Sequence, residues 1–148
     1  MLAIFPAYAV EIDVNFRGKL IIPPPCEFND GVKKDINFLD VGINKVNGIN
    51  YQQTIDYVIT CEDKSPQWAM TLTLSGDKAV FLDGTIQTDV DGLGIQITID
   101  GKPMMLGEDF PINPAALPEL KAVPVKKSGT ELQEGKFNAT ATLLAQYQ

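Results

Sequence analysis

From residue 10 to residue 22 the sequence reads VEIDVNFRGKLII, and its polarity alternates almost throughout. Val10, Ile12, Val14, Phe16, Leu20 and Ile22 fall on every second position, and Gly18 keeps the same register. Glu11, Asp13, Asn15, Arg17 and Lys19 lie between them. Successive side chains of a strand point to opposite faces, so this is the pattern of a strand with one apolar face. Pro23, Pro24 and Pro25 then follow. Consecutive prolines favour a stiff polyproline II spacer, which resists folding back. A strand built for its own sheet is normally joined by a turn. The opening segment therefore reads as an amphipathic strand held away from the body that follows it.

The body carries the same two-residue period. Residues 35–39 alternate, and residues 54–61 place Ile55, Tyr57, Ile59 and Cys61 on one face. Residues 68–74 do so with Trp68, Met70, Leu72 and Leu74, and residues 93–99 with Leu93, Ile95, Ile97 and Ile99. Residues 120–125 form a weaker strand pattern, interrupted by Pro124. The longest example is 137–147, where Phe137, Ala139, Ala141, Leu143, Ala145 and Tyr147 share a face. Thr140, Thr142 and Gln146 point the other way, with Leu144 as the exception. Asn29-Asp30-Gly31, Asn47-Gly48, Ser75-Gly76-Asp77, Asp83-Gly84, Asp91-Gly92, Asp100-Gly101 and Ser128-Gly129 punctuate these segments as turns. Residues 107–117, with Pro111 and Pro114, read as an irregular loop. Helical periodicity nowhere exceeds about two turns, leaving room for a short helical turn near 115–120. Short strands separated by turns predict an all-β sandwich.

A chain of 148 residues with 45% apolar content fits one globular domain with a sizeable core. The formal charge of −7 comes without a basic cluster, which argues against a nucleic-acid partner. There is no histidine, so the commonest general base and the commonest zinc ligand are both missing. Two cysteines without histidine do not make an ordinary structural zinc site. Neither a cofactor nor a metal is expected, and the chain does not read as an enzyme. Asp89-x-Asp91-Gly92 lacks the later ligands of a calcium loop and reads as a turn. Asn138-Ala139-Thr140 matches a glycosylation acceptor but falls inside an expected buried strand. Trp68, on an apolar strand face, reads as core rather than as a sugar platform. No apolar run of about 18 residues is present to span a membrane.

Both ends add expectations. In residues 1–9, MLAIFPAYA, the Ala7-Tyr8-Ala9 triplet has the small-x-small pattern of a signal-peptidase site. These residues are expected to be a signal-peptide remnant, with the mature chain starting at Val10; an ordinary apolar N-terminus is the alternative. Export favours reading Cys26 and Cys61 as one disulfide closing a loop of about 35 residues, with two buried thiols as the alternative. At the other end, the strand pattern runs to Tyr147, and Gln148 is last. A seven-stranded sandwich needs a closing strand beside such a segment. Its exposed apolar edge is expected to pair within the chain or to be covered by another chain. A detached strand and an unflanked edge are complementary, as in β-strand addition.

Four features together resemble the subunits of chaperone-usher pili of Gram-negative bacteria, over residues 10–148. They are the alternating extension with Gly18, Cys26 after it, Cys61 ending a strand, and GKFNATATLLAQYQ with its penultimate Tyr147. RGKLIIPPPC is most similar to the minor tip and adaptor subunits of P-type pili. The resemblance implies an incomplete immunoglobulin-like β-sandwich lacking its final strand, with residues 10–22 as a donor-strand extension and 23–148 as the pilin domain. Ile12, Val14, Phe16, Gly18 and Leu20 would insert into a neighbouring subunit. Phe137, Ala139, Ala141, Leu143, Ala145 and Tyr147 would line one side of the chain's own groove, and basic chaperone residues would hold the Gln148 carboxylate. The implied partners are a periplasmic chaperone, an outer-membrane usher and neighbouring pilus subunits. The implied route runs through the periplasm to a cell-surface fimbrium. A major rod subunit shares all of these motifs, and a carbohydrate-binding tip adhesin is the other alternative role.

Overall fold

A computed structural model describes residues 2–20, 22, 26–28, 33–62 and 69–147. The expected features at Pro23 to Pro25, Asn29 to Gly31, Trp68 and Gln148 lie outside the described residues. The described residues form ten strands: β1 (Cys26–Phe28), β2 (Gln53–Ile55), β3 (Ile59–Cys61), β4 (Met70–Gly76), β5 (Thr85–Gln87), β6 (Leu93–Ile99), β7 (Lys102–Pro103), β8 (Asp109–Ile112), β9 (Leu120–Lys126) and β10 (Ala141–Tyr147). A single 3-10 turn, Ile43–Lys45, is the helical element among the described residues.

The strands make a two-layer antiparallel sandwich. One sheet runs β2-β9-β6-β5, with β7 folded onto β6; the other runs β10-β4-β8; β1 pairs with β3. Period-two burial explains the core. Met70, Leu72 and Leu74 of β4 meet Ile86, Ile95, Ile97, Ile99, Leu120 and Ala122 of the facing sheet. The β6–β7 hairpin is closed by Asp100 and Gly101, both with positive φ (47° and 80°). That is the two-residue turn whose twist matches the strands, and it needs residues such as Asp-Gly.

Four expectations change. Residues 35–39 form no strand. The Asn37 Oδ1 accepts the Leu39 N–H at 2.8 Å, and Leu39 sits at φ 57°. A local side-chain turn thus replaces the ladder, and Phe38 alone packs towards the core. The segment 54–61 breaks into β2, which joins β9, and β3, which joins β1. Its four inward residues are nevertheless the expected ones, since Ile59 and Cys61 are buried and Ile55 and Tyr57 half-buried. The loop expected at 107–117 contains β8, paired with β4, and Pro111 fits because β8 is an edge strand. Residues 115–120 form no helix; Leu120 instead starts β9, an interior strand despite Pro124. There β2 reaches only Leu120 to Ala122, so Pro124 lies beyond the strand on that side.

Candidate functional site: an open sheet edge and an exposed extension

The expected strand 137–147 is shorter than its pattern. Only Ala141–Tyr147 forms β10, paired along its length with β4 from Ala141↔Gly76 to Tyr147↔Met70. In the order β10-β4-β8 it is an end strand, with no strand beyond it among the described residues. Main-chain directions show which groups the open edge carries. The Gly107 N–H donates to the Leu74 carbonyl at 2.8 Å, so Leu74 turns its main chain towards the β8 side. Leu143 lies opposite Leu74 and so does not exchange main-chain bonds with it. Its N–H and C=O face the open edge instead. In a strand this direction repeats every second residue.

The side chains above that edge are also incompletely covered. Leu143, Ala145 and Tyr147 alternate inwards and pack on the core, as does Phe137 before the strand, yet all four are only half-buried. Ala139 and Ala141 are exposed. By contrast Leu72, on the neighbouring β4, is 0% exposed. β1 approaches β10 and sends half-buried Cys26 and Phe28 to the same core. The Cys26–Cys61 disulfide ties β1 to β3, where the two cysteines are register partners. A half-buried apolar strip thus lies beside the open edge of β10, shared by β10 and β1.

Aromatic side chains buttress it. Phe38 and Phe137 have ring centroids 6.2 Å apart, and Phe28 and Tyr57 6.3 Å apart. The Tyr57 hydroxyl donates to the Pro118 carbonyl at 2.7 Å. Burial pushes the Tyr57 phenol up to about 12, and the negative charge of Asp100 adds to the effect.

The extension has the opposite character. Its described residues form no strand, and among the described residues its apolar row joins neither core cluster. Ile12, Phe16 and Leu20 are 86%, 91% and 102% exposed, and no atom lies within 4 Å of where a Gly18 side chain would begin. The structure therefore gathers Phe137, Leu143, Ala145 and Tyr147 against the core beside the open edge, and leaves Ile12, Val14, Phe16, Gly18 and Leu20 exposed. Sequence reasoning gave Cys26 only as a disulfide partner and did not place Phe28 or Phe38 beside this surface. The cysteine pair was the available signal, because a bridge between Cys26 and Cys61 forces residues 26–28 alongside β3.

Among the described residues no three His, Cys, Asp or Glu side chains gather to hold a metal, and no helix is long and apolar enough to cross a membrane. What the site offers is a row of main-chain groups over a half-covered apolar floor. Residues 14–148 match the family model described as fimbrial protein. The chain belongs to the fimbrial protein family. It is 37% identical over 147 residues to the uncharacterized fimbrial-like protein YfcQ of Escherichia coli (strain K12), spanning 96% of this chain and 91% of that one. In fold it is similar to the P pilus adaptor subunit PapF (TM-score 0.62, 20% identity, 86% of this chain and 98% of that one). It is also similar to the P pilus rod subunit PapA (TM-score 0.66, 20% identity, 84% and 99%). The resemblance read from the sequence thus holds at the level of family and immunoglobulin-like fold, and the fimbrial protein is a structural pilus component rather than an enzyme.

Proposed function

We propose that this fimbrial protein polymerises by exchanging strands with its neighbours. The observation that carries the reading is the pairing of opposites: an exposed apolar row in the extension and a half-buried apolar strip beside the open edge of β10, both of period two. Residues 10–22 of one subunit add to the open edge of β10 in the next. Ile12, Val14, Phe16 and Leu20 cover the apolar strip shared by β10 and β1. Main-chain ladders give pairing, and alternate side chains set the register. Gly18 permits close approach where the partner's floor is highest. A periplasmic chaperone occupies the same edge first and holds the Gln148 carboxylate through basic residues. The outer-membrane usher is where the neighbour's extension replaces it, on the way to the cell-surface fimbrium.

Within the pilus we place the chain as a minor tip or adaptor subunit, on the strength of the RGKLIIPPPC run. A rod subunit is the second reading, favoured by the fold match to PapA. Immunogold counting separates them: sparse labelling at the tip supports the adaptor, and labelling along the shaft supports the rod. The strand-exchange reading is tested by adding a synthetic peptide of residues 10–22 to the full chain. Capture that resists dilution, with loss of aggregation, is expected. A stable monomer that ignores the peptide overturns it.

A further inference from the structure

β4 leaves β10 early. After Gly76 it turns to the other sheet, where Lys78 bridges Ile86 and the Gln87 N–H donates to the Asp77 carbonyl at 2.8 Å. Residues 137–140, leading into β10, thereby lose their neighbour on that side. Asp89 takes the vacated place. Its N–H donates to the Asn138 carbonyl at 3.1 Å, and its Oδ1 accepts the Asn138 N–H at 2.7 Å. A longer contact joins the Asn138 amide Nδ2 to Oδ2 at 3.5 Å.

Asp89 stands on a braced loop. The buried Thr88 hydroxyl donates to the Leu93 carbonyl at 2.8 Å, and the Gln87 side-chain amide reaches the carbonyls of Thr88, Val90 and Leu93 at 3.0 to 3.2 Å. The latch also agrees with the strand's alternation. Leu143 faces its main-chain groups to the open edge, and counting back in twos the same holds for Ala141, Ala139 and Phe137. Asn138 must then face the β4 side, which is where Asp89 meets it. Phe137 is fixed as well, packed against both core clusters.

We infer that Asp89 is a positioning residue which lengthens the docking edge, holding residues 137–140 as a continuation of β10 so that an incoming strand pairs with Ala139 and Phe137 as well as with β10 itself. This rests on the strand-exchange reading above. A carboxylate accepting a main-chain N–H suits the task, because it replaces a ladder bond with a charge-assisted one that needs no strand.

The test is amide hydrogen exchange on the full chain with and without the peptide of residues 10–22, in the wild type, D89A and D89N. The wild type with peptide is expected to protect the Leu143, Ala139 and Phe137 amides. D89A is expected to keep protection at Leu143, lose it at Ala139 and Phe137, and capture the peptide about fivefold to tenfold more slowly. D89N retains an acceptor for the Asn138 N–H and is expected to restore both. D89E keeps the charge but misplaces the acceptor; it replaces D89A if that variant does not fold, with the same loss expected. Protection at Ala139 in D89A or D89E, or failure of D89N to rescue, overturns the inference. So does a wild type protected at Leu143 alone. A wild type with no protection at Leu143 instead sinks the strand-exchange reading beneath it.

Discussion

β9 and β10 are both seven-residue antiparallel strands with apolar side chains, and they end up in different environments. β9 lies between β2 and β6, and Leu120, Ala122, Val123 and Val125 are all buried. β10 has β4 on one side only, and its inward residues Leu143, Ala145 and Tyr147 stay half-buried, with Leu144 50% exposed on the other face. The difference does not come from local propensity, for β9 holds the proline and β10 the cleaner alternation. It comes from neighbours. A flanking strand covers the gaps between inward side chains, and half the cover of β10 is missing. The extension carries a matching row of apolar side chains in the open.

Removing the extension should have the largest effect. Deleting residues 10–20 is expected to abolish insertion into a neighbouring subunit while leaving chaperone binding intact, as native gels of mixed subunits would show. F16D should do nearly the same, because a charge placed on the apolar floor is not compensated there. Next in size, Leu120→Ala in β9 should cost about 2–5 kcal/mol of stability whether or not the peptide of residues 10–22 is present. Leu143→Ala in β10 should cost less, about 1–2 kcal/mol without peptide, and approach the β9 value with it. Urea unfolding of the two variants, each with and without peptide, measures this directly. Equal costs for Leu143→Ala in both conditions would mean the peptide does not cover β10.

The β1 side is probed by C26S/C61S, expected to cost about 2–5 kcal/mol and to loosen β1 from the apolar strip. Peptide dissociation followed by fluorescence anisotropy should accelerate in that variant. The smallest effect belongs to Tyr57→Phe, which removes the bond to Pro118 and about 0.5–1.5 kcal/mol. It also carries a pH signature. The folded phenol is pushed up to about 12 from an ordinary 10, so the neutral form is the one the fold favours. Its contribution is complete below pH 10 and is lost as pH rises through 12. Urea midpoints compared at pH 9 and pH 11 should fall further in the wild type than in Y57F.

Much of the fold was legible because strand side chains alternate. Met70, Leu72 and Leu74, and Leu93 through Ile99, turn inwards as their spacing requires. The cysteine pair fixed β1 against β3. Other parts depended on competition that spacing does not record. Residues 35–39 alternate as well as any strand, but the Asn37 side chain satisfies the backbone locally. Residues 109–112 carry a proline and read as a loop, yet an edge position makes that proline harmless. Residues 137–140 continue the β10 pattern without a ladder, since β4 has already turned away. Asp89 gave no sign of its partner, since Asn138 lies 49 positions further along the chain.

Alternation, turn dipeptides and the cysteine spacing are properties of neighbouring residues, so the sequence alone determined a β-rich body, its inward faces and an extension with one apolar side. Which edge stays open is a property of the whole assembly of strands. It depends on where β4 switches sheets, on what β1 is tied to, and on which groups Asp89 reaches. Those are contacts between distant segments, and only their packing in three dimensions decides them, because a hydrogen bond or a buried face exists only once both partners are in place.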